Sequence, residues 1–263
     1  HDQSSSGNTI FIEPFDIITI DNDIEQLYLA KEKEIKNILF TITQLLYPYY
    51  QQILCCYNFI VKFDQHHTIA KLAKHTNSIK PKINTKNEKI IISNGENPIL
   101  KLMGKDIIPL NLELKENKIL LLSGPNAGGK TIALKTIGLF SVMTKKGLFI
   151  PAAKIEIPLF QNILTDIGDN QSVTNDLSTF SAHITNIIKI ITNSHSKSII
   201  LIDELGTGTD PDSGAALSKS IIEKIIKLNS FLIATTHLND LKLWAQDSNK
   251  IINGSMLFNQ QNL

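Results

Sequence analysis

The chain has 263 residues, of which 42% are hydrophobic and 19% charged. That is enough for one large domain, or a domain with an appendage, and it excludes bulk disorder. The formal net charge is +1 and the sequence contains no arginine, which excludes a whole-chain electrostatic case for nucleic acid, an arginine finger from within the chain, and bidentate arginine readout of guanine.

The only cysteines, Cys55 and Cys56, are sequence neighbours. They make a poor disulfide and no metal set, so a reducing, cytoplasmic setting is expected. No stretch is long and apolar enough to span a bilayer and no signal peptide is visible, so no membrane partner is expected. A chain that begins on His1 is expected to be a piece of something longer.

In chain order, residues 1–8 are polar and residues 9–12 (TIFI) read as a strand before Glu13 and Pro14. From Asp23, an expected cap, apolar residues recur at helical spacing: Ile24, Leu27, Ile35, Ile38, Leu39, Ile42, Leu45 and Leu46. Pro48 is expected to break that helix. A second periodicity through Ile53, Leu54, Tyr57, Ile60, Val61 and Phe63 then predicts a helical hairpin of long arms. The polar stretch 80–89, with Pro81, reads as a linker. Beyond residue 90 the texture is α/β. Short aliphatic runs at 90–92, 119–122, 199–202 and 231–234 read as strands, the later ones separated by helical patterns.

Four motifs carry chemistry. Residues 124–131, GPNAGGKT, satisfy G-x-x-x-x-G-K-[ST] between an apolar strand and a helix. In that context Gly124, Pro125, Asn126, Ala127, Gly128 and Gly129 form a loop whose glycines let backbone N–H groups, from every residue but the proline, turn inward around phosphate oxygens, and the helix N-terminus adds partial positive charge. Lys130 would reach the β- and γ-phosphates, and Thr131 would ligate Mg²⁺. The strand 198–202 ends in Asp203 and Glu204, where Asp203 can support the metal shell and Glu204 can orient the attacking water. The run ATTH, residues 234–237, ends another apolar strand, and His237 there can contact the γ-phosphate or its water. Between cradle and acids lie DIGDNQS (166–172) and a helix start with Ser178 or Thr179 as its cap. Such a helix N-terminus suits an anion, and its distance in sequence from the cradle suggests a neighbouring subunit's nucleotide.

The order GPNAGGKT, DIGDNQS, LSTFSAH, IILIDELGTGTDP, ATTH resembles the MutS ATPases of the ABC superfamily. Thr131, DELGTGTDP, the small-residue run 214–217 and the stretch SSSGNTIFIEP (4–14) are similar to the second bacterial branch, the type-two MutS proteins. The resemblance implies an α/β P-loop ATPase domain of ABC type with a mixed sheet over residues 81–263, preceded by a helical core or lever segment over 1–80. It also implies a homodimer with composite sites using ATP and Mg²⁺. In that frame Gln171 senses γ-phosphate and metal, Ser178 is offered to the partner's nucleotide, Asp210 lies in a loop crossing between subunits, and His237 is the switch histidine.

The expected function is an ATP-driven DNA-processing clamp acting in repair or suppression of recombination on double-stranded or branched DNA. This piece carries no mismatch-reading or nuclease-like region and is not expected to cut DNA. The alternative is a quality-control ATPase gripping stalled or collided ribosomes. A third reading, a sensor without turnover, has no use for a water-polarising Glu204.

Overall fold

A computed structural model describes residues 2–3, 10–11, 14–85, 88–124, 129–168 and 176–256, without the side chains of 2, 3, 10, 11, 16 and 176–180. By packing, the chain falls into two units, His1–His66 and His67–Leu263.

In the first unit, β1 (Asp2–Gln3) pairs antiparallel with β2 (Ile10–Phe11). Helix α1 spans Phe15–Leu46 and is followed through a 3₁₀ turn over Tyr47–Tyr49 by α2, Tyr50–His75, whose residues from His67 on belong to the second unit. Two expectations are corrected here. Asp23 is no cap, because α1 starts eight residues earlier, directly after Pro14. Pro48 does not turn the chain into a hairpin either. Leu46, Tyr47 and Tyr50 all keep right-handed helical backbone angles, and the Tyr47 N–H still bonds back to the Thr43 carbonyl. Proline at the first turn of a helical segment removes only a donor that would have no intrahelical acceptor, so the helical path continues through it. Both helices carry large apolar side chains into solvent, among them Leu27, Leu45, Phe59 and Phe63.

The second unit is built on two sheets. The larger has five strands, β6 (Ile119–Ser123), β8 (Asn162–Asp166), β9 (Ser198–Ile202), β10 (Phe231–Thr235) and β11 (Ile251–Ser255), all parallel in the order β11-β6-β10-β9-β8. Parallel sheets are covered on both faces, which is why β6, β9 and β10 are continuous apolar runs. Successive side chains go to opposite faces. Leu120, Leu122, Ile199, Leu201, Phe231 and Ile233 enter one core, packed with Leu134, Ile137 and Phe140 of α4 (Lys130–Lys145). Ile119, Leu121, Ile200, Ile202, Leu232 and Ala234 enter the other. The second core is closed by α5 (Asp176–Asn193), α6 (Pro211–Lys227) and α7 (Asn239–Gln246).

The smaller sheet, order β3-β7-β4-β5, consists of β3 (Lys82–Asn84), β4 (Ile90–Gly95), β5 (Leu110–Leu114) and β7 (Lys154–Pro158), and a short α3 (Pro98–Leu102) follows β4. It is mixed, since β3 runs parallel to β7 while β4 is antiparallel to both β5 and β7. Its Ile90, Ile92, Leu114, Ile155 and Ile157 join the α4 core. Lys82–Asn84 of the stretch read as a linker therefore belong to this sheet. Buried Glu156 of β7 draws in Lys82 at 3.6 Å and Lys89 at 3.3 Å, pinning both ends of the segment. Among the described residues, no helix is long and apolar enough to cross a membrane.

Candidate nucleotide site

In an open parallel sheet, ligands bind beyond the carboxyl ends of the strands. The candidate residues collect at that edge, where β6, β10 and β9 lie side by side. β6 ends at Ser123 and leads to Gly124. α4 starts at Lys130 directly after Gly129, which sits in the left-handed region at φ 78°. Glycine adopts that conformation without the Cβ clash other residues meet, and it lets the chain turn sharply into the helix. Pro125, Asn126, Ala127 and Gly128 lie outside the described residues.

Lys130 is 3% exposed. Its ammonium bonds the Gly124 carbonyl across the loop and lies 3.4 Å from His237 Nε2. Burial pushes its pKa down from the ordinary lysine value, and the carboxylates of Asp203 and Glu204 oppose that shift.

Thr131, one position into α4, donates from Oγ1 to Asp203 Oδ2 at 2.6 Å, across 72 residues of sequence. The other Asp203 oxygen accepts from Thr235 Oγ1 at 2.5 Å, and the same Thr235 hydroxyl accepts the Glu204 N–H at 2.7 Å. Thr235 is fully buried at the end of β10. Asp203 and Glu204 are thus held by side chain and backbone to the next strand. Their main chain is anchored on both sides as well: Asp203 N–H donates to the Asp166 carbonyl and Leu205 N–H to the Thr235 carbonyl, at 2.9 and 2.8 Å.

Glu204 has φ 55°, a left-handed conformation uncommon for residues with a side chain. Such strain persists only where the surroundings enforce it, and here two hydrogen-bonded neighbours do. Its carboxylate is half exposed and lies 3.8 Å from His237 Nε2. His237 therefore stands between the Lys130 ammonium and the Glu204 carboxylate.

Three other candidates are placed differently. Gln171 lies outside the described residues. Ser178 falls within the first turn of α5, which begins at Asp176, so neither Ser178 nor Thr179 is its cap, and the Ser178 side chain is not described. Asp210 is the N-cap of α6, accepting from the backbone N–H groups of Asp212 and Ser213 at 3.1 Å each. Hydrogen bonds from Ser213, first from its side chain and then from its backbone, hold the Asp210 carboxyl below the usual aspartate range. The loop before it packs glycine on glycine. A Cβ on Gly214 would lie 2.3 Å from the Gly206 carbonyl oxygen.

Sequence reasoning assigned no role to Thr235, Asp166 or His183. Thr235 sits in the ATTH run already singled out, and a hydroxyl at the carboxyl end of an apolar strand was the available signal. A cavity of about 340 Å³, lined by Asn84, Lys145, Phe160, Gln161 and Lys197 among others, opens at the amino end of β8 and β9, away from all these groups.

The MutS domain V family matches residues 120–262, more than half of the chain and all of the large sheet except Ile119. This chain belongs to the MutS family. It aligns over its full length with proteins named Endonuclease MutS2, which places it in the type-two branch. That protein of Caldicellulosiruptor saccharolyticus is 41% identical over 266 residues, that of Brevibacillus brevis 41% over 265, and that of Clostridium kluyveri 42% over 265. In each case the match covers 100% of this chain and 33% of the relative. The chain thus spans about a third of these MutS relatives and carries their MutS-like ATPase domain, a nucleotide-binding type.

Proposed function

We propose that the chain binds ATP with Mg²⁺ in a P-loop site of ABC type and hydrolyses it. Residues 81–263 form the ATPase domain, and residues 1–80 form a helical core or lever segment. The observation that carries the proposal is the 2.6 Å bond between Thr131 and Asp203, which joins the end of the cradle to the acidic strand end.

The donor set fits magnesium. A hydroxyl and a carboxylate, both hard oxygen donors, already face each other, and Mg²⁺ is usually held by one or two carboxylates together with phosphate oxygens. Thr131 and Asp203 would hold it, and when bound it supplies positive charge against the β- and γ-phosphate oxygens. Lys130 and the N–H groups of the cradle bind the same phosphates. Glu204 orients the attacking water and accepts its proton as the water oxygen bonds to the γ-phosphorus and the bond to the bridging oxygen of ADP breaks. His237, within reach of both Lys130 and Glu204, contacts the γ-phosphate or the water.

In this reading the active form is a homodimer in the cytoplasm. Gln171 senses the γ-phosphate, while Ser178 at the start of α5 and Asp210 in the crossing loop complete the partner's site. ATP-dependent closure drives clamping of double-stranded or branched DNA, in repair or in suppression of recombination. Membership of the MutS family favours DNA over the ribosome, and the proposal does not extend to strand cutting by this stretch.

The test is a titration of a fluorescent ATP analogue into wild type and Lys130→Ala. Losing the ammonium should weaken binding by roughly tenfold or more. Equal affinity would remove the assignment of the loop.

A further inference from the structure

Asp166, the last residue of β8, has no part in the nucleotide scheme above. It is 7% exposed, and every one of its oxygens is engaged. Oδ2 lies 2.9 Å from His183 Nδ1, Oδ1 accepts from Asn186 Nδ2 at 2.7 Å, and the backbone oxygen accepts the Asp203 N–H at 2.9 Å. Asn186 also reaches the Thr165 carbonyl at 3.3 Å. His183 and Asn186 are three apart on α5, so they share one face of that helix. A carboxylate so nearly removed from water is costly unless it is hydrogen-bonded, and here two side chains of one helix satisfy it.

This cluster does more than seat a helix. The same residue holds α5 through its side chain and the metal-binding strand end through its main chain. Directly beside it a cleft of about 20 Å³, room for about one water, is bordered by Asp166, His183, Asp203, Glu204 and Gly206. α5 is also the helix whose first turn carries Ser178, five residues before His183.

We propose that Asp166, His183 and Asn186 form a positioning centre that fixes the start of α5 relative to Asp203 and Glu204. The inference rests on the ATPase reading above. These three groups touch no nucleotide atom in the scheme. They hold the helix that presents Ser178 in register with the strand that presents the acids. Loosening the grip therefore lowers the rate of hydrolysis and spares binding of nucleotide by the cradle, which is built on β6 and α4.

The experiment compares four variants with wild type in the full-length protein: His183→Leu, His183→Asn, Asn186→Ala and the control Lys130→Ala. The readings are the affinity for a fluorescent ATP analogue, and kcat and KM for ATP hydrolysis. Asparagine places a donor nitrogen where His183 has Nδ1, so it keeps the bond to Asp166 without the ring. His183→Leu is expected to bind the analogue within about twofold of wild type while kcat falls roughly tenfold, less than the ~10² that a full ångström of misplacement can cost. His183→Asn is expected to regain most of that kcat. Asn186→Ala, which leaves the His183 bond to Asp166 in place, is expected to lower kcat by about threefold with unchanged affinity.

Wild-type kcat in His183→Leu overturns the inference, as does an equal loss in the leucine and asparagine variants. If His183→Leu does not fold, wild-type kcat in Asn186→Ala overturns it. A wild-type protein without ATP binding, or a Lys130→Ala protein that binds as tightly as wild type, overturns the ATPase reading itself and the inference with it. A dead control beside unaffected His183 and Asn186 variants overturns the positioning centre alone.

Discussion

At the scale of single residues, the Asp203 carboxylate accepts Thr131 through one oxygen and Thr235 through the other, and Thr235 in turn fixes the Glu204 N–H. Thr235→Val keeps the shape of a fully buried side chain and deletes that junction. It leaves a part-buried Asp203 oxygen and the Glu204 N–H without this partner, so unfolding should become easier by about 1 kcal/mol. Thr235→Ser, which keeps the hydroxyl, should recover most of the loss. Thermal melts of the two variants check this, and equal melting temperatures would mean the hydroxyl is idle.

Lys130 gives a second expectation. Burial lowers its pKa in the folded state, so on the alkaline side its charge is lost before that of an ordinary lysine. Nucleotide affinity should fall as pH rises through that lowered value. The sign for stability is opposite. Between the folded and unfolded pKa the unfolded chain binds more protons, so the contribution of Lys130 to stability rises with pH there. Titrating the ATP analogue across alkaline pH in wild type tests the affinity, and a flat profile up to the ordinary lysine range would contradict it. Lys130, Thr131, Asp203 and Glu204 were legible because each sits at a fixed place in a local motif. Thr235 and the Asp166–His183 pair were not, because their meaning lies in contacts between strands and helices remote in sequence.

At the scale of elements, the loop ahead of α6 and the helix itself meet through Gly206 and Gly214, with no room for a side chain between them. Gly214→Val should therefore push the loop that follows Glu204 off the helix and destabilise the fold by about 1–3 kcal/mol, in the range of overpacked cores. Ala216→Val, on the exposed face of the same helix, should cost only the small β-branched penalty. The midpoints of chemical denaturation distinguish the two, and similar midpoints would show that the close approach carries no energy.

The strands β6, β9 and β10 could be read from sequence, since sheets covered on both faces demand unbroken apolar runs. The runs 90–92 and 9–12 were also read as strands and hold β4 and β2, while several other strands hid their nature. β7 carries buried Glu156 and ends in Pro158, β3 is Lys-Ile-Asn, and β11 runs into Asn253 and Gly254. Their partners make them strands, through ion pairs and edge positions that no local pattern displays. Helix α1 was read as starting too late because the run Asp21-Asn22-Asp23 looks like a cap, although on an exposed helix face these residues cost little. The hairpin was misread because a proline was taken as a turn where it only tightens a helical path.

At the scale of the whole molecule, the proposed dimer makes each ATP the bridge between two chains, so that binding energy becomes closure energy by linkage. Ser178→Arg should leave ATP binding by one chain intact and abolish closure and hydrolysis. Mixed with Lys130→Ala, it should regain part of the activity, because one of the two hybrid sites then combines an intact Lys130 with an intact Ser178. Absence of recovery in hybrids verified by light scattering would favour a site contained within one chain.

Beneath the dimer lies the claim that the cradle and the acidic strand end are a single hydrolytic site. Single-turnover hydrolysis by Glu204→Gln tests it most directly. The substitution keeps the size of the side chain and leaves Lys130, Thr131 and Asp203 in place. ATP should remain bound while its cleavage slows by roughly 10²-fold or more. Cleavage at the wild-type rate would contradict the claim.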